Sequence, residues 1–103
     1  MAHRTKPLDF AAINKGALTM LPALLARWLP AGQVKGGEFV AVNPRRQDRS
    51  PGSFKINLRS GRWCDFATGD AGGDPISLAA YLAGISQAEA ARRLAEMLGI
   101  NHG

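Results

Sequence analysis

The chain is poor in the residue types on which much protein chemistry depends. Of 103 residues, one is cysteine, Cys64, and two are histidine, His3 and His102. A single cysteine excludes an internal disulfide and suits a reducing cytoplasm. Zinc takes several thiolate or imidazole ligands, and three such residues spread over the whole chain do not make a site. Both histidines lie in the terminal segments, which removes any credible Ser-His-Asp or Cys-His set. No apolar run reaches the roughly 18 residues of a membrane span. The longest greasy stretch, residues 17–29, is interrupted by Thr19, Pro22 and Arg27. The start of the chain does not read as an export signal, so a cytoplasmic protein without membrane association is expected. Acids are also scarce, 8 against 13 Lys and Arg, a net charge of +5. Acidic partners are therefore considered first.

What is present is a core. Hydrophobic residues make up 46% of the chain, which suits one folded domain. Its organising stretch is residues 61–74, where an aromatic strand with Trp63 and Phe66 meets a glycine-rich corner and a helix start. Asp74 suits the N-cap of that helix and Pro75 its first turn, where a missing N–H costs nothing. Upstream the pattern is mainly sheet, and downstream it is helix.

In chain order, residues 1–7 form a polar tail. Asp9 can cap a short helical turn over residues 10–15, which Gly16 ends. A helix opens at Thr19 or Leu21 and runs to Trp28, with Leu21, Leu24, Leu25, Trp28 and Leu29 at helical spacing. Gly36-Gly37 is a turn and residues 39–42 are a short strand. Residues 43–52 are a loop by composition. Residues 53–59 alternate, with Phe54, Ile56 and Leu58 on one side and Ser53, Lys55, Asn57 and Arg59 on the other. Ser60-Gly61 is expected as a two-residue hairpin turn returning into residues 62–67. Residues 75–83 form a helix stopped by Gly84. Ser86 and Glu89 have capping-box spacing before a last helix that reaches Leu98, with Ala91, Leu94, Ala95 and Leu98 as its buried stripe and Gly99 as its stop. Two segments follow: residues 1–16 as tail and helical turn, and 17–103 as a single domain.

The cations are clustered. Residues 45–62 hold Arg45, Arg46, Arg49, Lys55, Arg59 and Arg62 against one acid, Asp48. With a two-residue turn, Arg59 opposes Arg62 and Lys55 opposes Phe66, so one sheet face carries Lys55, Arg59, Arg62 and Phe66. The other face carries Phe54, Ile56, Leu58 and Trp63. Cations around an exposed ring are what a single-stranded nucleic acid requires, because charges hold phosphates and the ring stacks on a base. The competing reading is a solvated sheet face with Phe66 tucked beneath a helix. Arg92 and Arg93 lie within helical reach of Glu89 and Glu96 and read as solvated ion pairs.

Other chemistry fits less well. The glycine corner lacks the Lys-Ser/Thr of a P-loop, and Asp70 and Asp74 would repel phosphate. Asp65, Asp70 and Asp74 read as turn and capping residues in preference to metal ligands. Cys64, within a strand, reads as an inert half-buried thiol. No metal, cofactor or enzymatic activity is expected.

Residues 38–98 resemble the N-terminal zinc-ribbon domain of bacterial and phage DNA primases and primase-helicases. That family carries Cys-Pro-x-His, a charged Ser/Thr-Pro-Ser-Phe stretch, an aromatic strand with Cys-x-x-Cys, then Gly-Gly-Asp and an apolar helix. Here Asn43-Pro44-Arg45-Arg46 takes the first position. Ser50-Pro51-Gly52-Ser53-Phe54 takes the second with one inserted glycine. Trp63-Cys64-Asp65-Phe66 takes the strand, and Gly72-Gly73-Asp74 the helix start. The ligands are gone: Asn43 and Arg46 replace the first pair, and no Cys-x-x-Cys stands at residues 66–69. The resemblance is thus to a metal-free version, in which packing must hold the hairpin. It implies a plasmid or phage setting, contact with template DNA and a replication enzyme as neighbour.

The expectation is an α+β domain with a small three-stranded antiparallel, zinc-ribbon-like sheet, an N-terminal helix and two C-terminal helices. Its expected role is that of a non-catalytic module for nucleic acid, single-stranded DNA above all, using Arg45, Arg46, Arg49, Lys55, Arg59, Arg62 and Phe66. The alternative is a protein-interaction or regulatory module acting on a primase, helicase or other replication enzyme. The oligomeric state is open.

Overall fold

The computed structural model describes residues 8–45 and 52–100. Two helices come first, α1 (Phe10–Thr19) and α2 (Leu21–Trp28). A five-stranded sheet follows, of β1 (Gln33–Lys35), β2 (Glu38–Ala41), β3 (Phe54–Asn57), β4 (Trp63–Asp65) and β5 (Ala71–Gly72). Helices α3 (Pro75–Ala83) and α4 (Gln87–Leu98) close the chain. The α+β class is as expected. The sheet is an antiparallel meander in the order β1 to β5, so the expected three strands become five, with a short strand added at each edge. No helix of the described residues is long and apolar enough to cross a membrane.

Local chemistry sets the helix ends. Asp74 caps α3 by accepting from Ser77 N at 2.8 Å, and Asp74 N donates back to Ser77 Oγ at 3.3 Å. Ser86 caps α4 by accepting from Glu89 N. Both helices stop on glycines in the left-handed conformation, Gly84 and Gly99, where a side chain would be strained. At Gly16 the sequence reading fails. Helix α1 does not end there but continues to Thr19. A Cβ on Gly16 would lie 2.8 Å from Ile100 Cδ1, so this glycine answers to packing by the far end of the chain.

Two clusters form the core. One joins Ile13 and Ala17 of α1 to Ile76 and Ala80 of α3 and to Ala91 and Leu94 of α4. The other sets Leu21, Leu25 and Leu29 against the inner face of the sheet, Phe39, Phe54, Ile56 and Trp63. Helix α3 links them, with Leu78 on the sheet side.

Candidate nucleic-acid interface

The register places each side chain on the sheet. Lys55 pairs with Cys64, Ile56 with Trp63 and Phe54 with Asp65. This differs by two residues from the pairing expected for a two-residue turn. The turn instead spans residues 58–61, with Asn57 N donating to Arg62 O and Gly61 N to Asn57 O. Asn57 Oδ1 stabilises it by accepting from Arg59 N and Ser60 N, each at 2.9 Å. Pleat parity survives a shift of two. Phe54, Ile56 and Trp63 therefore face the core as expected, while Leu58 is only half-buried in the turn.

The outer face carries Lys55, Asn57, Arg62 and Cys64 of the central hairpin. Pairing of β1 with β2 and of β2 with β3 adds Gln33, Lys35, Glu38 and Val40 to it. Lys35 was not among the expected cations. The Gly36-Gly37 turn was its only sequence signal, because β1 has three residues and no alternation to detect. A groove of about 520 Å³ runs over this face. Glu38, Lys55, Asn57, Arg62 and Cys64 line it together with Ser60, Trp63 and the small residues Ala71, Gly72 and Gly73.

Phe66 follows β4 in a turn and does not belong to the strand; its N–H donates to Ser53 O at 2.8 Å. The ring is 70% exposed, so it is not tucked under a helix. Although Lys55 pairs with Cys64, its Nζ still lies 5.7 Å from the Phe66 ring centroid, a cation–π distance. Lys55 therefore joins the ring to the groove.

Arg45 departs from the group. Its N–H donates to Asn43 Oδ1, which turns the chain, and its guanidinium lies 5.8 Å from the Tyr81 ring centroid. It lines a separate hollow with Tyr81, Gly84 and Gln87. Arg59 is exposed in the hairpin turn beside Arg62. Arg46, Arg49 and Asp48 lie outside the described residues.

Between Arg45 and the sheet lies a polar network that sequence reasoning missed. Asn43 and Asp65 are both fully buried. Asn43 Nδ2 donates to Asp65 Oδ2 at 2.9 Å and to the Tyr81 hydroxyl at 2.8 Å. The Tyr81 hydroxyl donates to Asp70 Oδ2 at 2.7 Å, and Asp65 Oδ1 accepts from Ala67 N. Burial pushes the Tyr81 hydroxyl above its ordinary pKa; the Asn43 hydrogen bond opposes this, and Asp70 adds to it. Asp65, Asp70 and Asp74 thus act in turns, hydrogen bonds and a cap, as their composition suggested. Among the described residues no group of three His, Cys, Asp or Glu is placed to hold a metal. Arg92 and Arg93 both pair with Glu89, as expected of a solvated face.

No protein-family profile and no curated protein matches the chain.

Proposed function

We propose that the chain is a non-catalytic nucleic-acid-binding module that favours single-stranded DNA and uses the outer sheet face. The observation that carries this is the Phe66 ring, standing in solvent with the Lys55 ammonium over it at the margin of a groove that also holds Arg62. A base stacks on such a ring for roughly 1–3 kcal/mol, and neighbouring cations hold the phosphates. Stacking needs an unpaired base, which is why a single strand is favoured over a duplex. The primase resemblance suggests a setting, namely template contact beside a replication enzyme of a plasmid or phage.

Fluorescence anisotropy with single- and double-stranded oligonucleotides tests this. Four cations, Lys35, Lys55, Arg59 and Arg62, would give a slope of log affinity on log salt near −3, at about −0.7 per phosphate contact. The loss between 50 and 200 mM salt would then be roughly fiftyfold. Arg62→Ala should make the slope shallower, and Phe66→Ala should weaken binding with little change in slope. Changes at Arg92 and Arg93 should do little. Absence of binding at tens of micromolar in low salt would reject the proposal.

The second reading, a protein-interaction module acting on a replication enzyme, has its own support. An apolar hollow of about 460 Å³ lies among α2, α3 and α4, lined by half-buried Trp28 with Leu82, Ile85, Leu94 and the exposed Met97. Retention of a primase or helicase on immobilised protein, lost on Met97→Glu, would favour that reading.

A further inference from the structure

A surface that only holds phosphates has no use for a carboxylate, yet Glu38 stands within this one. It lies in β2 directly opposite Asn57 of β3, and both line the groove. Cross-strand partners have Cβ atoms about 5 Å apart. Glu38 is flanked on the same face by Lys35 and Arg62, but among the described residues it makes neither an ion pair nor a hydrogen bond. Asn57 uses its Oδ1 in the turn. This fixes the orientation of the amide and leaves the two Nδ2 hydrogens without a partner among the described residues. The groove therefore presents a pair of acceptors beside a pair of donors, with only the small residues Ala71, Gly72 and Gly73 of the β5 segment beyond Cys64.

We propose that Glu38 and Asn57 read the Watson–Crick edge of one unpaired guanine, an inference that rests on the nucleic-acid reading above. The Glu38 carboxylate accepts from guanine N1–H and N2–H, and Asn57 Nδ2 donates to O6. Among the four bases only guanine offers a carboxylate two adjacent donors. Adenine and cytosine each place a ring-nitrogen acceptor in the central position, and thymine has a single donor between two carbonyls. These edges are free only in single strands. Lys55, which lines the groove and also covers Phe66, then holds the phosphate between the guanine and a neighbouring base stacked on the ring.

The test is anisotropy at fixed salt with oligo-dT carrying one central dG, dA, dC or deoxyinosine. The parent should bind the dG strand about tenfold more tightly than the dA, dC and all-dT strands. Deoxyinosine, which lacks the N2 amino group, should fall between. Glu38→Gln should remove the preference while tightening binding to oligo-dT, because the repulsion of phosphate is gone. Asn57→Asp keeps the oxygen that holds the turn and should also lose the preference. Equal binding of all strands by the parent would overturn this inference and leave the nucleic-acid reading intact, and so would a Glu38→Gln effect that is uniform across strands. No binding of any strand would overturn both. The deoxyinosine comparison needs no variant, so a misfolded mutant cannot obscure the result.

Discussion

Asn43→Asp is the smallest change that probes the buried polar network, since it exchanges one amide group for one oxygen. The parent amide donates to Asp65 Oδ2 at 2.9 Å and to Tyr81 at 2.8 Å, in a place closed to solvent. A bond to a charged acceptor contributes roughly 1.5–3 kcal/mol and a neutral one about 0.5–1.5. Asn43→Ala loses both and also the Oδ1 acceptor of Arg45 N–H, an exposed residue whose N–H can turn to water; about 2–4 kcal/mol is expected. At some 4–8 °C per kcal/mol for a domain of this size, the melting temperature should fall by roughly 10–30 °C. Asn43→Asp adds a like charge beside Asp65. At an effective dielectric constant near 20, two charges about 4 Å apart repel by about 4 kcal/mol. The pair escapes by holding one proton, so one carboxyl is raised in the folded state. A carboxyl raised on folding contributes stability at low pH that is lost as pH rises through its folded pKa. The deficit of Asn43→Asp relative to the parent should therefore be large at pH 8 and shrink towards pH 5, whereas that of Asn43→Ala should stay nearly constant. Thermal unfolding followed by circular dichroism measures both. An alanine variant melting within about 2 °C of the parent, or an aspartate deficit that does not depend on pH, would refute this account.

Trp63→Ala should cost roughly 3–5 kcal/mol, since the indole is buried against Phe54 and Tyr81. Gly72→Ala should cost about 1–3 kcal/mol, because its Cβ would lie 2.4 Å from both Trp63 Nε1 and Ser77 Oγ and press on their hydrogen bond; a change of a degree or two in either melting curve would contradict the placement of Trp63. Tyr81 is the sole tyrosine and its hydroxyl is raised on folding, so its contribution should be complete below pH 10 and lost as pH rises further; ultraviolet titration should show late ionisation, and Tyr81→Phe should flatten the alkaline limb of stability. The purified protein should carry no stoichiometric zinc and melt at the same temperature with a chelator, as elemental analysis and calorimetry would show.

The punctuation of the fold was legible because it is local. Asp74-Pro75, Gly84, Ser86 and Gly99 act through backbone groups within a few residues of themselves, and each marks a helix end as the sequence suggested; only the Ser86 half of the expected capping box forms, because the Glu89 carboxylate turns to Arg92 and Arg93. Gly16 misled because its neighbour is Ile100, a tertiary partner that no local pattern announces. The inward faces of β3 and β4 were legible even though the turn was misread, since a shift of two residues changes partners without changing sides. The network of Asn43, Asp65 and Tyr81 was not legible: its members sit in three separate segments, and only the fold brings them together.

The candidate site shows why charge clustered along a chain differs from charge clustered in space. Arg45 belongs to the cationic run by position, yet the Asn43 turn sends it to the Tyr81 side. Lys35 lies outside that run, yet two antiparallel pairings bring it to the face of Lys55 and Arg62. The same pairings set Glu38 among the cations, where a count of charge would merely subtract it. Its position opposite Asn57 gives the face a donor–acceptor pattern as well as a sign, and a surface with a pattern can distinguish between bases where a surface with only a sign cannot.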